Sequence, residues 1–170
     1  MTHGSAGTFN VDLPTTGSPG IECRSSNSLG AGNYTIIFSF SDPLSSVGGA
    51  SASESGCGTI GVSNPIISGS DYIVSLTGVC NAQYVTITLS NVNDSAGQHS
   101  DTLVGPQMGF LIGDVNGNRV VSNGDVSLVQ AQVGATVDSS NFREDVNANG
   151  VLSNGDVAVT QANVGSTLPP

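Results

Sequence analysis

The 170-residue chain contains no tryptophan and no lysine, and its 3 basic residues are all arginines. Charged residues make up 9% of the sequence, which is too few for a charge-rich disordered chain or a long solvated helix. No apolar run approaches the length of about twenty residues that crosses a bilayer. We therefore expect a folded, soluble chain that does not insert into a membrane.

The sequence is also poor in the residues that bind nucleic acids or sugars. Its 13 acidic residues against 3 basic ones give a net charge of −10, which repels a phosphate backbone, so we expect no nucleic-acid partner. With no tryptophan and 3 tyrosines, the chain supplies few rings for a sugar-stacking platform. Carbohydrate binding is therefore the weakest of the functions considered below.

No recognisable catalytic constellation is present. His3 lies in an expected N-terminal tail and His99 in a loop, and neither belongs to a nucleophile–base pattern. Glu22 and Glu54 lack the context of the positioned carboxylate pair that glycoside hydrolysis needs. We expect no enzymatic activity.

Cysteine is sparse, and the 3 residues allow at most one intramolecular bridge. A Cys57–Cys80 pair is favoured, because Cys80 ends a strand-like run and Cys57 follows a stretch of small residues. Cys23 is expected to be a small, buried strand residue. Residues 1–7 show no signal-peptide pattern. The lysine-free composition, rich in serine, threonine, asparagine and glycine, indicates a secreted, extracellular setting, and we expect the C-terminal piece of a longer protein.

Residues 7 to 112 show the period-two alternation of short β-strands separated by clusters of Gly, Ser, Asn and Asp. The clearest runs are 34–40, 71–76 and 84–89. Weaker strands are expected at 8–13, 20–24, 48–53, 58–62 and 101–112. Seven or eight strands of this spacing predict an all-β sandwich of the immunoglobulin-like type. The run 91–94 is read as a hairpin turn in preference to a cation loop.

Two copies of one twelve-residue loop lie thirty-one residues apart, beginning at Asp114 and Asp145. Side-chain oxygens fall at loop positions 1, 3, 5, 9 and 12, and a valine carbonyl falls at position 7, which is the spacing of a calcium loop. The predicted ligands are Asp114, Asn116, Asn118, Val120, Ser122 and Asp125 in loop 1, and Asp145, Asn147, Asn149, Val151, Ser153 and Asp156 in loop 2. The sequence therefore predicts two bound Ca²⁺ ions.

The two loops differ at position 6. Arg119 occupies it in loop 1, where glycine with positive φ is usual, whereas loop 2 keeps Gly150. We expect loop 1 to be the weaker or the more strained site. The low ligand charge predicts moderate calcium affinity in both.

A short helical stretch follows each loop, at 125–133 and 156–164. The apolar positions that recur on one face are Val126, Val129 and Val133 in the first stretch, with Val157, Thr160 and Val164 matching them in the second. Gly134 and Gly165 act as stop signals. Between the repeats, Phe142 is expected to plug a small core from a turn or short helix.

A repeated calcium loop followed by one helix, with no helix before the first loop and Asp at position 12, resembles a dockerin. Dockerins are small bacterial modules that bind two Ca²⁺ and dock onto a cohesin partner. The resemblance covers about residues 113–167. In dockerins the loop end and the following helix contact the partner, and the matching positions here are Asn123, Gly124, Gln130 and Ala131, then Asn154, Gly155, Gln161 and Ala162. Their near identity implies a pseudo-twofold surface with two possible docking orientations.

The chain is expected to comprise a tail (1–6), an immunoglobulin-like sandwich (7–112) and a dockerin-like module (113–170). No Pro/Thr-rich or Gly/Ser-rich linker separates the last two, so we expect them to be rigidly apposed. The first hypothesis is a secreted, non-enzymatic interaction module with a cohesin-like partner. The alternative is a calcium-stabilised structural, surface-anchoring or self-assembling fibre module, whose duplicated surface packs on its own β-region or on a neighbouring chain.

Overall fold

The computed structural model describes residues 1–26, 32–56 and 58–170, and for Asn64 the backbone alone. The strands are β1 (Thr2–His3), β2 (Gly7–Thr8), β3 (Gly20–Glu22), β4 (Gly32–Ser39), β5 (Leu44–Ser46), β6 (Gly49–Glu54), β7 (Gly61–Ser68), β8 (Asp71–Val79), β9 (Gln83–Asp94), β10 (His99–Val104) and β11 (Met108–Phe110). The helices are α1 (Asn123–Gln132) and α2 (Asn154–Ala162). The expected mainly β fold with a small helical C-terminal part is confirmed. Within the described residues, neither helix has the length and apolar character needed to cross a bilayer.

Strand β9 is the centre of the larger sheet. It pairs with β10 and β11 along one edge and with β5 and β6 along the other, and β3 extends the sheet by pairing in parallel with β11. The smaller sheet has the order β4–β8–β7 and is antiparallel. Gly69 supports the two-residue turn from β7 to β8, where its positive φ of 63° is accessible to glycine without a steric penalty.

Both sheets contribute to one apolar core. In β8, Tyr72, Val74 and Leu76 are buried, and in β9 alternate residues such as Ile87 and Leu89 are fully inaccessible to solvent. These are the inward positions that the alternation at 71–76 and 84–89 predicts. The two sheets therefore pack as layers, with the core between them.

Several strand boundaries differ from the sequence-based expectation. The expected strand 8–13 is confined to its first residue, and β5 was not anticipated because its three residues show no alternation. The expected strand 101–112 is divided into β10 and β11 around Pro106, which has no backbone N–H to continue a ladder. Residues 91–94 belong to β9, and the Asp94 carboxylate accepts a hydrogen bond from the backbone N–H of Gln98 at 2.8 Å. The turn to β10 follows at 95–98, so the expectation of a hairpin turn at 91–94 is wrong.

The bridge expected at Cys80 and the burial expected of Cys23 are confirmed, but Cys23 lies just outside a strand. Cys80 is disulfide-bonded. Cys23 is a free thiol, buried directly after β3. Cys57, the predicted partner of Cys80, lies outside the described residues.

Residues 1–6 are ordered, although the sequence indicates a tail. β1 and β2 form a small antiparallel hairpin in which His3 pairs with Gly7. His3 is fully buried, and its ring packs edge-to-face on Phe9 at 5.4 Å between centroids. The hairpin thus belongs to the folded body of the protein.

The two C-terminal helices pack on the chain segment that follows β3. Cys23 shares an apolar cluster with Ile112 and with valines of both repeats, namely Val115, Val126, Val129, Val146 and Val157. The backbone N–H of Gly113 donates to Cys23 O, and that of Ser25 donates to Val146 O. The N-terminal segment therefore runs between the larger sheet and the helices and contacts both.

The helices begin two residues earlier than expected, at Asn123 and Asn154. Val126, Val129, Val157 and Thr160 are buried as predicted. Val133 and Val164 are exposed instead, because each lies beyond the end of its helix, directly before a glycine with positive φ.

Candidate metal centre

The first half of loop 1 is folded around the Asp114 carboxylate. Its Oδ1 accepts the backbone N–H of Asn118 at 3.0 Å, and its Oδ2 accepts that of Arg119 at 2.8 Å. The Asn116 side-chain oxygen also accepts the Asn118 N–H at 3.0 Å, and the Asn118 side-chain oxygen accepts the Val120 N–H at 3.0 Å. Because Asp114 and Asn116 share one donor, the oxygens at positions 1 and 3 converge.

The second half of loop 1 is joined to α1 by Asp125. One carboxylate oxygen accepts the backbone N–H of Asn116 at 3.3 Å, and the other accepts the N–H of Ser122 at 2.9 Å and its hydroxyl at 3.0 Å. The Ser122 hydroxyl accepts the N–H of Gly124 at 3.1 Å, which completes a capping box at the start of α1. Position 12 therefore connects the start of the loop to the start of the helix.

Loop 2 repeats this hydrogen-bond pattern position by position. Asp145 accepts the N–H groups of Asn149 at 3.1 Å and Gly150 at 2.8 Å. The remaining matches are Asn149 N to Asn147 Oδ1 at 3.0 Å, Val151 N to Asn149 Oδ1 at 2.8 Å, Asn147 N to Asp156 Oδ1 at 3.2 Å, and Ser153 N and Oγ to Asp156 Oδ2 at 3.0 and 3.2 Å. The duplication in sequence is thus a duplication in local structure.

The four loop aspartates are fully buried, and within each loop the two carboxylates interact through their charges. Burial raises the pKa of Asp114 above its usual range, and the neighbouring Asp125 charge raises it further, against the backbone hydrogen bonds that lower it. Burial likewise raises the pKa of Asp156, with Asp145 adding to the effect. Two like charges in a desolvated pocket are costly unless a cation lies between them.

No arginine within residues 1–26, 32–56 and 58–170 forms an ion pair with these aspartates. Over the same residues, no group of three or more His, Cys, Asp and Glu side chains is arranged to hold a metal. Each loop supplies two carboxylates, so any cation site here needs amide, hydroxyl and backbone oxygens as well. Such an all-oxygen donor set suits a hard cation such as Ca²⁺ and does not suit a thiolate- or imidazole-seeking metal.

The remaining predicted ligands fit this donor set to different degrees. Asn116, Asn118, Asn147 and Asn149 present side-chain oxygens within the loops. Among the described residues, no backbone hydrogen bond ends on the carbonyl of Val120 or Val151 at position 7. Ser122 and Ser153 serve as helix N-caps, a role that the ligand spacing alone does not reveal.

Position 6 has positive φ in both loops, at 76° for Arg119 and 86° for Gly150. A side chain in this conformation is strained, whereas glycine is not. The strain at position 6 is therefore confined to the exposed Arg119 of loop 1. Loop 2 has its own non-glycine residue with positive φ, Ala148 at position 4 with 54°, where loop 1 has Gly117. Each loop thus has one strained position, and the expectation that loop 1 is the more strained is not confirmed.

All eight predicted partner-contact residues are exposed: Asn123, Gly124, Gln130, Ala131, Asn154, Gly155, Gln161 and Ala162. The opposite faces of α1 and α2 form the cluster around Cys23. The duplicated surface does not pack on the described part of the β-region.

One contact at loop 2 was not predicted from the sequence. The His3 ring nitrogen Nδ1 lies 2.7 Å from Asp145 Oδ2. The two residues are 142 positions apart, and no spacing rule connects an N-terminal histidine to a C-terminal loop. The presence of Gly150 in loop 2, where loop 1 has Arg119, was one available sign that the loops have different neighbours.

Outside the loops, the structure gives His99, Glu22 and Glu54 separate polar partners. His99 is largely exposed between Asn93 and Asp101 at 2.8 and 2.7 Å. Glu22 forms an ion pair with Arg24 at 2.7 Å, and Glu54 accepts the backbone N–H of Gly56.

Comparison with known proteins gives no assignment. No protein-family model matches the chain, and no curated protein shows significant sequence similarity to it.

Proposed function

We propose that residues 113–170 form a dockerin-like module that binds two Ca²⁺ ions and, in that state, a cohesin-like protein. The module is non-enzymatic. The support is the position-by-position repetition of a loop whose buried carboxylates converge with amide oxygens and pair with no arginine among the described side chains. Each ion neutralises its pair of aspartates and fixes the loop that starts the following helix.

The single observation that carries the partner hypothesis is the exposure of the repeated surface. Asn123 and Gln130 on α1, and Asn154 and Gln161 on α2, are all exposed. The apolar sides of the two helices pack into the shared cluster around Cys23, so the polar sides remain available to bind another protein. The two equivalent patches allow a partner to bind in two orientations related by the duplication.

The neighbouring β-region is proposed to be an immunoglobulin-like sandwich that carries the module. Two layers around a common core support this classification. The disulfide at Cys80 and the acidic, lysine-free composition fit a secreted bacterial protein outside the cell or at its surface. A nucleic-acid partner, membrane insertion and sugar binding have less support, for the compositional reasons already given.

A calcium-stabilised structural module without a cohesin partner is the second candidate. It is favoured by the way in which the loops are attached to the rest of the chain. Arg143 donates to the backbone carbonyls of Val115, Asp114 and Ile21 at 2.8, 3.0 and 3.0 Å, and so bridges the metal region and β3. In this role the calcium stabilises the whole chain for surface anchoring or for fibre assembly.

The decisive experiment measures binding of the chain to a panel of purified cohesin domains by calorimetry, with Ca²⁺ and with chelator. The proposal predicts a complex that requires Ca²⁺ and disappears in the Asp125→Ala/Asp156→Ala double variant. An Asp12→Ala/Asp101→Ala double variant removes the same charge at exposed positions and serves as the control. A complex that persists in chelator contradicts the proposal.

The structural candidate makes a different prediction. Calcium raises the melting temperature of the full chain, no cohesin binds, and light scattering detects association of the chain with itself if it forms fibres. A melting temperature that does not respond to calcium contradicts both candidates.

A further inference from the structure

The N-terminal hairpin contacts only one of the two loops through a buried side chain. We propose that His3 is a positioning residue for the metal site of loop 2, and that residues 1–9 act as a strap whose order depends on the ion in that loop. This inference rests on the proposed calcium binding and adds an inequality between the two sites. It starts from a buried chain of hydrogen bonds that has no counterpart at loop 1 in the described part of the structure.

The first link joins His3 to the first ligand position. His3 Nδ1 lies 2.7 Å from Asp145 Oδ2, and both side chains are fully buried. His3 Nε2 lies 2.7 Å from Arg24 Nη1. A guanidinium can only donate, so Nε2 is the acceptor, and the ring carries its proton on Nδ1, where it donates to Asp145.

This bond fixes the orientation of the Asp145 carboxylate. Oδ2 receives donors from His3 and from the Gly150 backbone, and Oδ1 receives the Asn149 N–H. A carboxylate has about four lone-pair positions, so Oδ1 keeps one for a cation. The ligand oxygen is therefore held in place before the ion arrives.

Arg24 anchors the chain of hydrogen bonds to the body of the protein. Its Nε and Nη2 atoms donate to the two oxygens of Glu22 at 2.7 Å each, and Nη1 also donates to the Phe9 carbonyl at 3.1 Å. The guanidinium carbon lies 4.8 Å from the centroid of the Phe142 ring, which stacks on Phe9 at 5.5 Å. Residues from β3, the hairpin and the segment between the repeats thus hold His3 in one position.

The backbones of the hairpin and loop 2 also approach closely. A Cβ atom on Gly150 would lie 2.6 Å from the His3 carbonyl oxygen, and one on Gly4 would collide with the Asn149 carbonyl oxygen. Only glycine at both positions allows this contact. An arginine at position 6, as in loop 1, would push the hairpin away.

Loop 1 is built differently at the same point. Among the described residues no side chain donates to the carboxylate of Asp114, whose Oδ2 accepts the Arg119 backbone N–H. The side chains at positions 3, 5 and 6 of loop 1 are exposed. Loss of a residue that orients a metal ligand lowers metal affinity about ten- to a hundredfold. His3→Ala is therefore expected to weaken calcium binding at loop 2 by that factor and to leave loop 1 unchanged.

The test measures each loop separately in the full chain. Asp125→Asn disables loop 1 and Asp156→Asn disables loop 2, and Ca²⁺ is titrated calorimetrically into each background with and without His3→Ala. The rescue variant is His3→Asn, whose amide N–H replaces the donor at Nδ1. Thr2→Ala is the matched control, because its exposed hydroxyl contacts Thr8 within the hairpin and does not contact loop 2.

A second readout follows the strap itself. Amide hydrogen exchange of residues 1–9 should slow on addition of Ca²⁺ in the wild type and in Asp125→Asn, but not in Asp156→Asn, because linkage between ion and strap is reciprocal. This readout does not depend on binding to a partner.

The outcomes separate the two proposals. A loss of calcium affinity that is confined to loop 2 in His3→Ala, with partial recovery of that affinity in His3→Asn, supports the strap. Two bound ions with loop 2 affinity changed less than about twofold, or equal weakening of both loops, overturns the strap and leaves the calcium module standing. A wild-type chain that binds no Ca²⁺ overturns both.

Discussion

Loop 1 lies against the C-terminal end of the chain, whereas loop 2 lies against the N-terminal hairpin. The backbone N–H of Leu168 donates to Arg119 O at 3.1 Å, and that of Val121 donates to Ser166 O at 2.9 Å. Loop 2 receives His3 instead. Yet the internal hydrogen bonds of the two loops match. Similar local sequence gives the two loops the same internal hydrogen bonds, and the distant parts of the chain give them different neighbours.

The largest expected difference in stability between the two loops comes from removing the aspartate side chain at position 1. Asp145→Ala leaves the N–H groups of His3 and Gly150 without an acceptor, whereas Asp114→Ala leaves only that of Arg119. The N–H groups of Asn149 and Asn118 keep the asparagine oxygen at position 3 of their loop. A buried donor without an acceptor costs about 1–3 kcal/mol. In chelator, the free energy of unfolding should therefore fall further in Asp145→Ala, by about that amount. Urea denaturation measures the difference, and equal losses would contradict it.

The next effect concerns the glycine at position 6 of loop 2. Gly150→Ala adds a side chain at a φ of 86° and against the His3 carbonyl. Gly134→Ala has the same φ of 86° but nothing within 4 Å of the new atom. Both variants carry the conformational penalty of a side chain at positive φ. The clash should lower the free energy of unfolding of Gly150→Ala by about 1–3 kcal/mol more than that of Gly134→Ala. A Gly150→Ala chain no less stable than Gly134→Ala would show that the hairpin contact is unimportant.

The helix caps should not distinguish the two halves. Ser122→Ala and Ser153→Ala each remove the hydroxyl that accepts the second helical N–H, at 3.1 Å in both. Each should cost about 1 kcal/mol in thermal or chemical denaturation. Ser127→Ala, at an exposed position within α1, should cost nothing comparable. Clearly unequal losses of stability in Ser122→Ala and Ser153→Ala would mean that the contacts of each loop with distant parts of the chain also affect the stability of the helices.

The smallest effect is expected from relieving the strain in loop 1. In Arg119→Gly, glycine adopts the positive φ of 76° without strain. The free energy of unfolding should rise by at most about 1 kcal/mol, because glycine also gives the unfolded chain more conformational freedom. Arg119→Ala keeps the strain and should show no such gain. If Arg119→Ala stabilises the chain as much as Arg119→Gly does, the positive φ at position 6 is not the source of the gain in stability.

The sequence predicted the parts of this molecule that depend on near neighbours. The alternation in β8 and β9, the two loops with their helices, and the burial of Val126 and Val157 all follow from residues a few positions apart. The capping role of Ser122 was also within reach, because Asp125 stands three residues later.

The features that the sequence did not predict depend on contacts between residues that are far apart in the chain. No local signal places His3 on Asp145 or stacks Phe142 on Phe9, since these contacts exist only after the N-terminal segment has passed between the sheet and the helices. The burial of Cys23 was expected, but its position among valines of both repeats was not. Burial raises the pKa of that thiol to about 12, so slow alkylation in the native state would report that the segment stays in place.

The most direct test of the account is the calcium stoichiometry of the full chain, measured calorimetrically for the wild type, Asp125→Asn and Asp156→Asn. The account predicts two ions per wild-type chain and one in each variant, with different affinities for the two remaining sites. Binding of no ion by the wild type, or of two ions by both variants, would contradict it.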